Sequence, residues 1–121
     1  MVVASDYEVI CSQTEKILPG DMEMFSFSLP PNLRHTRNDS EIVINLTFNV
    51  VKAEDLKWEV VLNDATESQF VRSGSSLFTW QLFAEAAQLH PGGNQIGVYV
   101  RPRGRGLLEV QGITLQYRVD L

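Results

Sequence analysis

Apolar and polar side chains alternate with a period of two through most of the chain. The clearest run is 41–50, where Ile42, Ile44, Leu46, Phe48 and Val50 share one face and Glu41, Asn45, Thr47 and Asn49 the other, as in a strand with one side buried. After a turn at 52–55, Leu56, Trp58, Val60 and Leu62 alternate with Lys57, Glu59, Val61 and Asn63. Phe25, Phe27 and Leu29 do the same over 21–29, before Pro30-Pro31. A short strand is expected at 68–72, then a break at Ser73-Gly74-Ser75-Ser76, then a strand over 77–82 built on Phe78, Trp80 and Leu82. The end of the chain repeats the pattern over 107–110 and 113–121, and segments 7–13 and 15–18 read as edge strands ended by Pro19-Gly20.

One stretch organises the rest. Residues 83–88 are good helix formers, enough for one short helical turn. Pro91 cannot continue that turn, and Gly92-Gly93 supplies the reversal. From Asn94 onward Ile96, Val98 and Val100 alternate with Gln95, Gly97, Tyr99 and Arg101, which makes a strand. Many short strands with turn signals between them predict an all-β fold: one antiparallel β-sandwich spanning 1–121, a jelly roll of about eight strands with one short helical turn. Phe25, Phe27, Ile44, Leu46, Trp58, Val60, Ile96, Val98, Leu115 and Tyr117 are the expected core.

Composition narrows the classes of function. The 121 residues are 44% hydrophobic and 21% charged, ordinary for a globular domain. A net charge of -5 argues against a nucleic-acid partner, and no apolar run approaches the ~20 residues of a membrane span. The segment after Met1 lacks the basic start and apolar middle of a signal peptide, so a soluble, unexported chain is expected. The lone Cys11 rules out an internal disulfide and reads as a small buried residue. Positive charge gathers late: residues 1–100 hold 6 basic and 13 acidic side chains, residues 101–121 hold 4 and 2.

The succession FSFSLP, EIVINLTF, LKWEVVLND, LHPGGNQIGVYV and GLLEVQGITLQY resembles the galactose-binding-domain-like jelly rolls, which occur as carbohydrate-binding modules and as accessory sugar-binding domains of glycosidases. The resemblance rests on Leu89, Pro91, Gly92, Asn94, Ile96, Val98 and Val100, and on Gly106–Val110 with Ile113–Tyr117. It implies a sandwich that binds saccharide without catalysing its breakdown, and in many members a structural calcium. No ligand-binding position of that family can be matched residue by residue.

Candidate contact residues follow from the face opposite the core. Tyr99 and Arg101 stand opposite Ile96, Val98 and Val100, and Gln116 and Arg118 opposite the core face of the last strand. If the two faces adjoin, they form a patch with one flat ring and several donors. Arg101, Arg103 and Arg105 alternate in the turn RPRGRG, a clamp for carboxylate or phosphate at the rim of that patch. Arg34, His35 and Arg37 make a weaker basic cluster in the loop 32–40. Trp58 is in phase with the core, whereas Trp80 is a candidate sugar-stacking ring. Asp64 and Asp120 are possible calcium donors, without an Asp-rich loop. His35 and His90 neighbour no nucleophile or carboxylate in a catalytic motif, so no enzyme is expected and no cofactor beyond that calcium. Two functions follow: a saccharide-binding module, or a structural module that docks on protein through a sheet face or edge, with oligomerisation open.

Overall fold

The computed structural model describes residues 3–29, 42–84, 88–90 and 92–120, the side chains of 3–7 and 118–120 excepted. Seven strands run through it: β1 Val3–Cys11, β2 Glu15–Ile17, β3 Met22–Ser28, β4 Ile42–Leu62, β5 Ala65–Ala84, β6 Gly93–Val100 and β7 Arg105–Asp120. All pairs are antiparallel, in the order β1-β7-β4-β6-β3, with β2 on β7 and β5 on β4. No helix among the described residues is long and apolar enough to cross a membrane.

The architecture turns on β4. Its first part pairs with β7, from Val43↔Gln116 to Glu54↔Arg105, and its last part with β6, from Trp58↔Val100 to Leu62↔Ile96. Strand β5 accompanies both parts. A back half (β1, β2, β7, early β4, late β5) therefore folds against a front half (β3, β6, late β4, early β5), giving the expected sandwich. The far edges, β1 and β3, approach each other and nearly close it.

At the corner the register shifts twice, between Val50 and Ala53 and between Ala53 and Leu56. Lys52 (φ 47°), Asp55 (φ 50°) and Gly74 (φ 84°) take left-handed backbone there. Serine hydroxyls replace the ladder acceptors that the bend removes: the Lys52 amide donates to Ser75 Oγ at 2.9 Å and the Asp55 amide to Ser73 Oγ at 3.0 Å. This corrects the sequence reading, in which 52–55 and 73–76 were breaks between separate strands. Local turn residues bend the strands here without ending them. The segments 107–110 and 113–121 likewise merge into β7, with an irregularity between Thr47↔Gly112 and Phe48↔Val110.

Rings pack into the inside of the bend. Phe48 lies 5.5 Å from Trp58, 5.6 Å from Phe70 and 5.6 Å from Phe78, centroid to centroid, and Trp58 stacks on Phe70 at 5.1 Å. Phe48 and Phe78 belong to the back half, Trp58 and Phe70 to the front. The expected core is buried, except that Phe25 is only partly covered, and Ile17, Leu56, Leu108, Val110 and Ile113 complete it.

The start of the expected helical turn over 83–88 is corrected, while Gln88 is in 3-10 conformation. Phe83 and Ala84 extend β5, paired with Val43 and Ile42, because a ladder with β4 outweighs the weak helix preference of six residues; residues 85–87 lie outside the described residues. The basic loop with Arg34, His35 and Arg37 lies outside them too.

Phe48→Ala should lower stability by about 3–5 kcal/mol, since the bend cannot collapse onto the vacated space. An unshifted urea-denaturation midpoint would show that the ring cluster does not hold the corner.

Candidate functional site

The β4–β5 hairpin closes with Asn63 (φ 47°) and Asp64 (φ 70°), the pair of left-handed residues that a two-residue hairpin of matching twist requires. That conformation points the Asn63 side chain at the approach to β6. Its Nδ2 donates to the Gln88 carbonyl at 2.7 Å and to Asn94 Oδ1 at 2.8 Å, while its Oδ1 accepts from the Gln95 amide at 2.9 Å.

Asn94 is the buried polar residue at the centre of this network, 3% exposed. Its Oδ1 also accepts from the His90 amide at 2.8 Å, and its Nδ2 donates to the carbonyls of His90 and Gly92, both at 3.0 Å. Both lone pairs and both protons are thus used, as a buried amide requires. Gly92 in turn accepts from the Leu29 amide at 3.0 Å, and Gln88 Nε2 donates to Glu67. The approach to β6 is pinned from several sides.

Beside this network lies a cleft of about 450 Å³ at the end of the front half, within the size range of small-ligand sites. Ser26, Ser28, Asp64, His90 and Gln95 line it with exposed side chains. Its polar groups are two hydroxyls, an amide, a carboxylate and an imidazole. Asp64 is the cleft's one carboxylate, and no group of three His, Cys, Asp or Glu among the described residues could hold a metal. Calcium takes six to eight oxygens, usually with several carboxylates, so this donor set does not fit it. The side chain of Asp120 lies outside the described residues.

From Gln95 the outer side of β6 continues through Gly97 to Tyr99. Exposed Met22 and Met24 fold over Gly97, where an added Cβ would come 2.6 Å from Met24 Sδ and 2.7 Å from Met22 Cε. The cleft therefore opens onto a low apolar shelf that ends at Tyr99. Tyr99 stands between Met22 and Glu59 in the ladder and is half-buried. The Arg101 guanidinium lies 5.3 Å from its ring centroid and pairs with Glu59, whose hydrogen bond and charge raise the arginine's pKa above its ordinary value.

The structure divides the other candidates. Arg103 and Arg105 line an open groove of about 780 Å³ at the corner with Lys57, Glu54 and Asp55, and Arg105 reaches Glu54 at 4.0 Å. The late cluster of positive charge is thus met in space by acids of β4. Arg118 pairs through its backbone with Ser5 on the β1–β7 ladder; β6 and β7 pair with different parts of β4, so Tyr99 and Arg118 belong to different halves and the expected joint patch does not form. The side chain of Arg118 lies outside the described residues. Trp80 is partly buried against the core, its ring edge-on to Phe70 at 5.4 Å and 83°.

No protein-family model and no curated protein matches the sequence. Solved structures do. The chain is similar over its whole length to 13% of dimeric latent PorU from Porphyromonas gingivalis, with a TM-score of 0.66 and 8% identity. Ninety-seven per cent of it is similar to 21% of a β-porphyranase of glycoside hydrolase family 86 from Bacteroides plebeius, with a TM-score of 0.62 and 15% identity. The xylan-binding module CBM15 matches 94% of the chain over 96% of its own length, with a TM-score of 0.56 and 8% identity. The chain thus spans a small part of the first two proteins and nearly all of the third. It has the β-sandwich fold of carbohydrate-binding modules.

Asn94→Ala should destabilise the domain by about 1–3 kcal/mol, because it leaves the His90 amide and the His90 carbonyl without their partner while the Gly92 carbonyl keeps only the Leu29 amide. Faster amide hydrogen exchange at His90 and Gln95 is the accompanying sign. Unchanged exchange would mean that the approach to β6 is held by something other than this amide.

Proposed function

We propose that this chain is a non-catalytic saccharide-binding module, folded as one domain, that seats a sugar in the cleft beside Asn63 and Asn94. The observation that carries the reading is the pairing of that polar cleft with the apolar shelf of Gly97, Met22, Met24 and Tyr99. A pyranose has the same two-sided character. Its C–H face suits the shelf, and its hydroxyls need both donors and acceptors, which Gln95, Ser26 and Ser28 supply and Asp64 strengthens on the acceptor side. The rigid network beneath keeps these groups in place before a ligand arrives, which lowers the cost of ordering them.

The likeness of 94% of the chain to nearly all of a xylan-binding module supports a binding role without catalysis. Arg101 serves mainly to hold Glu59 and to cover Tyr99, because its charge is already paired. Arg103 and Arg105 stay in the proposal as a rim whose charge Glu54 and Asp55 offset.

The test is calorimetric titration with neutral oligosaccharides, xylotriose and neoagarooctaose among them. Gln95→Ala and Asp64→Ala should each weaken the binding found by about 2- to 10-fold, the equivalent of about 0.5–1.5 kcal/mol per hydrogen bond. Tyr99→Ala should weaken it equally at low and high salt, whereas Arg103→Ala with Arg105→Ala should change little once salt screens the rim. Parent-like affinity in both the Gln95 and the Asp64 variants would place the sugar elsewhere.

A further inference from the structure

Strand β5 is the edge of both halves: among the described residues it pairs with β4 alone, while the opposite edges, β1 and β3, approach each other. An edge presents a row of unpaired amides and carbonyls, and natural sheets blunt it with charge, proline or a bulge. The two parts of β5 differ in this respect. Before the bend at Gly74 the strand carries Glu67, which accepts from Gln88, and Arg72, whose guanidinium lies 4.9 Å from the Phe78 ring centroid. From Ser73 to Ala84 it carries no charged residue and no proline. Its ladder with β4 there runs in unbroken register from Ser76↔Val50 to Ala84↔Ile42, without a bulge.

This uncharged part of the edge also shows apolar groups on both of its sides. On the outer side Leu77 is 63% and Phe83 67% exposed, with exposed Thr79 and Gln81 between them. On the inner side Phe78 and Trp80 are only partly covered by the core. Rings and aliphatic groups along an open, unblunted edge are the marks of a strand that receives another strand. The bend at Gly74 (φ 84°) confines that pairing to the late part of β5.

We infer that late β5 pairs with late β5 of a second copy of the chain, antiparallel about a two-fold axis at Trp80. An axis normal to the sheet keeps outer side chains outside, so two residues can oppose each other only when both lie on the same face. Centred on Trp80, that rule sets Leu77 against Phe83 and Thr79 against Gln81 on the outside, each twice, and Phe78 against Leu82 on the inside. Every outer pair matches, apolar with apolar and hydrogen-bonding group with hydrogen-bonding group. A shift by two residues destroys the match, since Phe83 then opposes Ser75 or Thr79. This self-complementarity is what selects a second copy over an unrelated strand. Seven residues of each chain are joined over ~20 Å by about six to eight main-chain hydrogen bonds, an interface at the small end, with a dissociation constant in the micromolar range. Pairing consumes late β5 in both copies, so the assembly stops at two. Both clefts stay open, because Asn63 and Asp64 lie at the far end of the β4–β5 hairpin. The inference does not depend on what the cleft binds.

Sedimentation equilibrium from nanomolar to high micromolar concentration reads the assembly. The parent should pass from one chain to two. Leu77→Lys with Phe83→Lys, which sets ammonium against ammonium in both outer apolar pairs, should raise the dissociation constant about tenfold or more while leaving the thermal melt near the parent's. Register is read separately by engineered cysteines, the native Cys11 being buried. A mixture of the Thr79→Cys and Gln81→Cys chains should cross-link under oxidised glutathione, because directly opposed residues stand within disulfide reach, whereas either variant alone, with its cysteines on a diagonal, should not. A parent that stays monomeric at every concentration would overturn the inference, and so would a dimer that the double lysine variant leaves intact. Cross-linking of one cysteine variant as fast as of the mixture would overturn the register, and with it the inference. Growth beyond two chains would exclude the closed two-fold pairing.

Discussion

Everything in this domain depends on β4 belonging to both halves of the sandwich. A strand shared in this way must change direction without losing its hydrogen bonds, and three devices meet that demand at one place. Left-handed residues turn the backbone, serines of β5 accept from the amides that the turn releases, and four aromatic rings fill the inside of the angle. The neighbouring β6–β7 turn shares the constraint. Gly106 (φ 118°) is packed so closely on β4 that a Cβ would lie 2.7 Å from Ala53 Cα. The arginines of RPRGRG are therefore displayed by a turn whose glycines answer to the corner.

The bend also decides where outward-facing polar groups are found. By sending early β4 to β7 and late β4 to β6, it turns the polar sides of one strand outward in two directions. Asn45, Thr47 and Asn49 face out on the back half, while Glu59 and Asn63 serve the front. The cleft and the polar back face are thus products of one strand and lie on separate surfaces. Their chemistry differs accordingly: the cleft mixes a carboxylate with amide and hydroxyls, while the back face sets Glu109 between Asn49 and Lys16.

Alternation alone made the core readable, because burial of Ile44, Leu46, Trp58, Val60, Ile96 and Val98 depends only on which side of a strand each residue takes. The corner was not readable. Lys52 and Asp55 look like turn residues because locally they are, and nothing near them in sequence announces that Ser73 and Ser75 carry the pairing through. The charge count missed a pairing for a related reason: Arg101 meets Glu59 forty-two positions away, which no count along the chain can register. The cleft was half legible: Asn94 stood out in the LHPGGNQ stretch, but its partner Asn63 lies thirty-one positions earlier and read only as a turn. Phe83, taken for helix, proved to be an exposed ring on a strand, since propensity over a few residues carries no knowledge of a neighbouring strand.

The β4–β5 hairpin orders events in time as well as in space. Its two strands are joined by the Asn63-Asp64 turn, so pairing can zip outward from Leu62↔Ala65 to Ile42↔Ala84 with each new contact closing only a small additional loop. Strand β1 must instead find β7 across nearly the whole chain, from Val3↔Asp120 inward, a contact of high sequence separation that is slow to form. A folding nucleus centred on the hairpin, with β1 docking last, is the order this topology favours. φ-values high around Val60 and Phe70 and near zero at Val9 would record it, and the reverse pattern would exclude it. Sequence changes along β1 would then act on how long the folded domain survives rather than on how fast it forms.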